Sequence, residues 1–460
     1  MTPHTGIPSW LGSAYRVCKL SVPGAARSEE ISVDHACMRV AAEPIVAPEN
    51  VPRVPYSESR GLALRSEQTA GASPETPVRF DIKVDVEALL KFGANQPLRP
   101  LDPGWAEYLP CAGLPLPGKA DAIVPHPRRY DEGPALDSLV LTASIPSGEG
   151  ALMPGQDYEA GTTLVRTGER ITPEAQAILI AAGIRTLRVV KRPRIIVAVA
   201  SCDLLPIDHA REAWQRPDSN GPYIRSLLQR WGYEVPAVEY LPLVNSWLPE
   251  PVSHSTFRQY VQELKRLVAS YDLIIGTGMP ERSIGGVSGL ASCPGFLSPI
   301  PVQVAQRPGG LFSFGRSQDR SPPRSELRKH YRADGSAAAL QRILYEDQAV
   351  LVNLPGFTSN VGVLMHMFVR RIVDELEHVS HPRPYWRTGK LSHEIGRDAN
   401  THRVLWGNAI VTSGGQITLC APYPQPVEGL AALAKANALI AAPSGQGPLC
   451  AGTPVHYLSL

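Results

Sequence analysis

The chain has 460 residues, more than one hydrophobic core accommodates, so several domains are expected. Its 43% apolar content is that of a folded protein, and 45 prolines with 39 glycines point to turns and short strands rather than a helical bundle. Forty-five basic against 43 acidic side chains leave a net charge of +2, which removes any bulk electrostatic case for a nucleic-acid partner or an anionic membrane.

The seven cysteines (Cys18, Cys37, Cys111, Cys202, Cys293, Cys420 and Cys450) form no CxxC pair, which argues against a disulfide framework or a zinc site and for a reducing compartment. The opening segment has no apolar stretch with a small-residue cleavage site, and no apolar run approaches the ~18 residues of a membrane helix. A cytoplasmic protein is expected, with no membrane partner.

In chain order, residues 1–28 show no period and read as a loose extension. A short helical pattern with Ala36, Val40 and Ala41 follows. The proline-punctuated PIVAPENVPRVPYS then reads as extended chain. Residues 61–149 hold short apolar runs between proline and glycine clusters, a β-rich module. Thr172-Pro173-Glu174 opens a helix that Gly183 can end.

From Pro193 the pattern changes. RIIVAVAS is a continuous apolar run, as in a strand buried on both faces. GPYIRSLLQRWG carries Ile224, Leu227, Leu228 and Trp231 at helical spacing, with Gly232 to end it. A strand-like stretch near Val235 comes next, then a helix with Phe257, Val261, Leu264 and Val268 on one face. DLIIGTG and AVLVNLPG are further buried strands, and a long helix near 361–377 closes the unit. Alternating strands and helices predict a parallel sheet flanked by helices over 193–380. Within it, residues 316–347 are basic and proline-broken, which predicts a mobile surface insertion. Residues 385–460 have short strands between SGG, PSGQG and AGTP turns and read as a small β-barrel or sandwich.

Ligands of open parallel sheets bind beyond the carboxyl ends of the strands. Three loops leave such ends: ASCDLLP with Asp203, followed by PDSNG with Asp218 and Asn220; GTGMPERSIGG with Gly278; and LPGFTSN with Pro355 and Gly356. Glycine there lets backbone N–H groups approach an anion, so a phosphate-bearing ligand or oxyanion fits. Turn geometry alone explains the same glycines. Asp203 could hold Mg²⁺ beside a phosphate or simply cap a turn. Asp218-Ser219-Asn220, ahead of a helix, is a good N-cap by itself. His209, His254 and His366 stand isolated, and no Ser/His/Asp set is indicated.

These segments together resemble the molybdopterin molybdenumtransferase family from about residue 30 to the end. GLPLPGKADAIV is similar to its TGAPLPEGADAVV turn and RPRIIVAVASCDLL to RPRVAVLSTGDEL. PDSNGPYIRSLLQRWGYEV is similar to its DSN–helix–strand segment, and LAALAKANALIAAP to LARANALIVLP. DLIIGTGMPERS, RPGGLFSFG and LPGFTSNVGVLMHMFVRRI stand where the family has DLVISSGGVSVG, KPGKPLAFG and LPGNPVSALVTFELFVRPL.

The resemblance implies a multidomain α/β protein. An elongated helical and extended domain (29–60 and 150–192) would carry a β-rich insertion (61–149), followed by a molybdopterin-binding α/β domain (193–380) and a C-terminal β-barrel (385–460). It implies a homodimer in which molybdate meets adenylylated molybdopterin with Mg²⁺. Asp203 and Asp157 would be the catalytic carboxylates, with Asp203 on the metal. Asp218, Asn220, Gly278, Arg307, Pro355 and Gly356 would bind the pterin phosphate or nucleotide-like ligand and the anion.

Several family positions differ. In Arg53–Ala63 the two aspartates of PPFDNSAMDGYA become Pro55 and Arg60 and the Asn becomes Tyr56. Elsewhere a Thr becomes Ala112, a Glu Gln156, a Glu Leu204, a Gly Met279, Val-Ser Pro280-Glu281 and a Lys Gly310, and the Asn-Pro of PGNP becomes Phe357-Thr358. Losing the Lys at Gly310 and gaining Glu281 where a dianion should approach, with a charge reversed at Arg60, predicts a poor insertase. The alternatives are a homologue repurposed to another pterin or nucleotide-like substrate, and a non-catalytic binder.

Overall fold

The computed structural model describes residues 7–20, 27–84, 100–125, 138–201, 204–209, 212–241, 254–278, 297–300, 304–309, 312–317, 349–422, 425 and 430–460. The protein is a multidomain α/β chain that divides into two compact units. One comprises Met1–Glu29, Gly168–Arg170 and Val190–Leu460; the other comprises Glu30–Thr167 and Ile171–Val189.

The first unit is built on a six-stranded sheet. Its spatial order is Glu239–Tyr240, Ile195–Val199, Leu273–Thr277, Val350–Leu354, Ser313–Ser317, Leu297–Ile300. The first four strands are parallel. The last two run antiparallel to their neighbours. Every residue of Ile195–Val199 and of Val350–Leu354 is buried, because helices cover both faces and leave no solvated side to favour alternation. Helices Asn220–Arg230 and Thr358–Leu364 pack on one face with Ile224, Leu227, Leu228, Val361 and Leu364 inward. Helix His254–Ser270 covers the other with Tyr260, Leu264, Leu267 and Val268. Each such fully buried leucine or isoleucine contributes about 1.5–3 kcal/mol of burial free energy. The helix that opens at Thr358 continues through a π turn, Met365–Val369, into Arg370–Leu376.

The C-terminal strands close into a barrel. His402–Val411 pairs with Ile417–Cys420, then in turn come Arg387–Leu391, Pro454–Ser459 and Ala438–Ala442, which pairs back onto His402–Val411. Closure leaves no open edge except where Gln306–Arg307 adds alongside His402–Val411.

Residues 9–20 are not a loose extension. A 3-10 turn, Ser9–Leu11, runs into helix Gly12–Leu20, and Leu11, Ala14, Tyr15 and Cys18 are buried in the main core. Their i, i+3, i+4, i+7 spacing is the helical signal that the prolines and glycines around it obscure. Tyr15 meets Phe368 edge-on at 6.1 Å, and the Trp386 indole N–H donates to its hydroxyl at 3.3 Å.

In the second unit, the helical pattern expected around Ala36–Ala41 reduces to one 3-10 turn, Val33–His35. Beyond it the chain is extended, and Ala41 bridges Val189. The later helix forms as expected: Pro173–Ala181 with Thr172 as N-cap, its hydroxyl accepting from Ala175 N–H at 3.2 Å, and Gly183 beyond its end at φ +78°. A five-stranded sheet, ordered Ala122–Pro125, Gly61–Leu64, Trp105–Leu109, Val78–Lys83, Ser138–Leu141, carries the β-rich segment.

Two sequence expectations shift inside the first unit. The strand near Val235 forms later, at Glu239–Tyr240, while Tyr233 and Val235 fill the core. The insertion expected from 316 starts after a strand that includes Arg316 and Ser317, paired to Val350 and Leu297; residues 318–347 lie outside the described residues. Among the described residues no helix is long and apolar enough to cross a membrane.

Candidate functional site

Beyond the carboxyl ends of the parallel strands, one side chain ties three connections together. Asn220 opens the helix after Ile195–Val199 and is 4% exposed. Its amide nitrogen donates to Thr277 Oγ1 at 3.1 Å and to the Gly356 carbonyl at 3.1 Å. Its amide oxygen accepts from Thr358 Oγ1 at 2.7 Å. Thr277 spends its own proton on the Leu354 carbonyl at 3.0 Å. Ser219 Oγ and Thr358 Oγ1 lie 2.6 Å apart; since the Thr358 proton goes to Asn220, Ser219 is the donor. Every polar atom of Asn220 is thus used inside the protein, as burial demands.

Asp218 is equally committed. Oδ1 accepts from Asn220 N–H at 2.9 Å and Gly221 N–H at 3.2 Å, and Oδ2 accepts from Gly221 N–H at 3.2 Å and Tyr240 O–H at 3.0 Å. It caps helix Asn220–Arg230 and places its carboxylate at the positive end of the helix dipole. Burial, with Asp218 beside it, raises the Tyr240 hydroxyl above its ordinary range and keeps it a donor. A Cβ on Gly221 would sit 2.6 Å from Asp218 Oδ2 and 2.9 Å from Val199 Cγ2, so the Asp-Ser-Asn-Gly run has no room for another residue there.

Gly278 and Gly356 have φ of +85° and +100°. A Cβ at Gly278 would meet Ser201 Cβ at 2.9 Å, and one at Gly356 would meet Asn360 Nδ2 at 3.0 Å. Both glycines therefore serve tight turns that bring backbone to the crevice. Pro355 precedes Gly356 in the same turn. Arg216 lies over the Phe357 ring at 5.3 Å, which sets one cation and one aromatic face beside the loop.

The structure gathers Asp218, Asn220, Gly278, Pro355 and Gly356 around one crevice. It places two other candidates elsewhere. Arg307 belongs to the strand added to the barrel; the Asn400 and Thr401 backbone N–H groups hold the Asp398 carboxyl below the usual range, and the Arg307 charge adds to their effect. Asp157 is in the second unit, exposed in a turn whose N–H donates to the Val51 carbonyl at 3.0 Å. Asp203 lies outside the described residues, as do Met279, Pro280, Glu281 and Gly310. Thr277 and Tyr240 were not singled out from sequence; Ser219 was read only as part of an N-cap run, and Thr358 only as the replacement of a family proline.

The described residues offer a divalent cation little. No group of three or more His, Cys, Asp or Glu among them is arranged around a metal. Asp218, the buried carboxylate at the crevice, is taken up by the helix and Tyr240.

Residues 11–183 match the family model described as the MoeA N-terminal region, domains I and II. A molybdopterin molybdenumtransferase of Staphylococcus epidermidis is 23% identical over 433 residues, 93% of this chain and 90% of that protein. One from Staphylococcus aureus is 22% identical over 443 residues, 95% of this chain and 91% of its own. Among solved structures, a molybdopterin biosynthesis MoeA protein of Pyrococcus horikoshii superposes with a TM-score of 0.67 at 16% identity, over 97% of this chain and 98% of that one. This last likeness is one of fold.

Proposed function

We infer function from the chain's membership of the molybdopterin molybdenumtransferase family, the molybdenum-cofactor biosynthesis proteins that it matches in sequence and fold. It is a molybdenum-cofactor biosynthesis protein that binds a phosphate-bearing pterin, such as molybdopterin or its adenylylated form, beyond the strand ends. It inserts molybdate into that pterin poorly. The observation that carries the binding half is the Asn220 clasp, which fixes the Thr277–Gly278 and Pro355–Gly356 turns in one geometry. Preorganised backbone of this kind suits a phosphoryl group. Asn220 and Asp218 act as positioning residues, because their polar atoms are already paired.

The insertase half is weak for a chemical reason. Molybdate is a dianion and needs preorganised positive charge; removing one such group can cost ~10²–10³ in rate. Lys gives way to Gly310, which removes a cation; Thr gives way to Ala112 and two aspartates to Pro55 and Arg60, which removes polar and acidic groups that the family site carries. These losses fall on one function and do not multiply. Magnesium belongs to the family reaction; Asp203, its candidate ligand, lies outside the described residues, and the proposed binding does not depend on the metal. A homodimer is part of the same proposal; light scattering that shows only monomer at micromolar concentration would count against it.

A repurposed homologue, acting on another pterin or nucleotide-like ligand or binding without catalysis, is the second reading. The Phe357-Thr358 pair favours it: where the family has Asn-Pro, this chain has a hydroxyl in the buried network and a ring under Arg216. Mass spectrometry of co-purifying ligands and rescue of an insertase-deficient cell at low molybdate separate the cases. A bound pterin with weak rescue is expected. Full rescue at native expression sinks the claim of poor insertion, and a different bound ligand moves the assignment to the second reading.

A further inference from the structure

At the other end of helix Asn220–Arg230 lies a cleft that the crevice does not explain. It has a volume of about 300 Å³ and is lined by Arg230, Trp231, His366, Arg370, Arg383 and Arg387, together with the closing segment of the barrel. No acidic side chain lines it. Arg370 is only 4% exposed, and its Nη1 and Nη2 find no hydrogen-bond acceptor among the described residues. Its ring-side neighbour is Trp231, with the guanidinium carbon 4.6 Å from the indole centroid.

Arg370 has a nearby carboxylate but does not bond to it. Asp374 Oδ1 is 3.8 Å from Nη2. That carboxylate is already gripped by Arg383, through Nε at 2.8 Å, Nη2 at 2.7 Å and the backbone N–H at 2.8 Å, and by Arg170 at 3.2 Å. Arg170 also bonds Glu377 at 2.6 Å, and Tyr233 O–H donates to the same Glu377 oxygen at 2.6 Å. Three guanidiniums thus share two buried carboxylates, and Arg230 and Arg387 add two exposed cations at the mouth. A guanidinium cannot shed its proton, so the surplus charge and the two orphaned nitrogens call for an anion from outside.

We propose that this cleft is an anion site that binds a small phosphoryl anion, either free phosphate or pyrophosphate or the phosphate of a nucleotide, with Arg370 as its buried anchor and Arg230 and Arg387 as its rim. A tetrahedral oxyanion fits the forked donors of arginine, and a multiply charged one answers both the buried surplus cation and the two cations of the rim. The cleft is large enough for more than a water and lies at the small end of ligand-site volumes. The π turn Met365–Val369 brings His366 to the same wall as Arg370. Such turns are frequent where a helix is bent to serve a site. The helix that joins this cleft to the crevice has 11 residues, which at 1.5 Å per residue separates the two by roughly 16 Å. The site is therefore separate from the proposed pterin crevice and does not depend on that assignment.

The test is calorimetric titration of the full chain with inorganic pyrophosphate, phosphate and ADP at 0.15 M salt. The parent should bind one of them saturably. Arg230→Gln with Arg387→Gln should weaken that binding at least tenfold at unchanged melting temperature, and Asn220→Ala should leave it unchanged. Binding of pyrophosphate but not ADP identifies a free-phosphate site; equal binding of ADP identifies a nucleotide phosphate. Either supports the proposal. Arg387→Gln alone, at an exposed strand position, keeps the test if the double variant unfolds. No saturable binding, undiminished binding by the arginine variants, or loss of binding in Asn220→Ala instead, overturns it.

Discussion

The two ends of helix Asn220–Arg230 solve opposite problems. At its N-terminal end every side-chain polar atom of Asp218 and Asn220 is answered by the protein itself, from Tyr240 O–H to the Gly356 carbonyl. At its C-terminal end Arg370 is buried with two donors unanswered and its neighbouring carboxylate shared out to other arginines. Sequence resemblance draws the eye to the first end. Physical chemistry finds the unmet demand at the second. A satisfied cluster holds loops in place and lends only backbone to a ligand, whereas an unsatisfied one is itself a binding surface.

The comparison breaks most directly at Asp374. Replacing it by alanine leaves Arg170, Arg370 and Arg383 facing Glu377 alone, and one orphaned buried charge system costs about 3–5 kcal/mol. Urea denaturation at pH 8 should show a loss of that size for Asp374→Ala. A loss below about 1 kcal/mol would mean that water already shares the cluster, and the contrast between the two ends would collapse.

A second lever is pH. Burial, with Arg230 and Arg370 close by, lowers His366 to about 4. Its folded form is neutral while the unfolded form takes a proton below about 6.5, so its contribution to stability is present above pH 6.5 and drains away as pH falls toward 4. Asp374, which burial pushes up to about 7 against the pull of Arg370 and Arg170, works in the opposite sense over nearly the same window. The difference between parent and His366→Gln cancels the Asp374 part. That difference should shift against the parent by about 3 kcal/mol between pH 7 and pH 4. A flat difference would put His366 in solvent and open the cleft wider than the geometry described.

Asn220→Ala should cost about 1–3 kcal/mol, because Thr277 and the Thr358 hydroxyl lose buried partners that no water can readily replace. Urea midpoints with unchanged slopes would register it. A neutral substitution would show that the three connections hold without the clasp.

Much of the first unit was legible because its signals are local. Continuous apolar runs gave the buried strands Ile195–Val199 and Val350–Leu354, and helical spacing gave Ile224, Leu227 and Leu228. The crevice followed from strand order and glycine placement. The helix Gly12–Leu20 has the same kind of local signal but sits among prolines and glycines, and its partners Phe368 and Trp386 are far along the chain. The arginine cleft was invisible for a stronger reason. Arg230, Arg370 and Arg387 look like three ordinary surface charges until a helix end, a π turn and a barrel strand bring them to one wall. Arg307 stands beside a glycine turn in the sequence, and its place on a strand paired with the barrel depends on His402 and Arg403 far along the chain.

The smallest predicted effect bears on whether this chain's departures from its family are losses or replacements. Thr358 stands where the family has proline, at the first residue of helix Thr358–Leu364, where proline is well tolerated. Phe357 before it has φ −73° and ψ 161°, a conformation that a following proline accepts. Thr358→Pro should therefore fit the backbone, and its main consequence is loss of the hydroxyl that bonds Asn220 at 2.7 Å and Ser219 at 2.6 Å. A loss of about 1 kcal/mol is expected, the ordinary net value of such a bond. Thr358→Val, which keeps the shape and removes the hydroxyl, should lose a similar amount. If the proline variant instead matches or exceeds the parent, the hydroxyl contributes nothing, and Thr358 records drift at an idle site. If both variants lose alike, the chain has rebuilt this corner with a network of its own, which is what a site redirected to a new ligand requires.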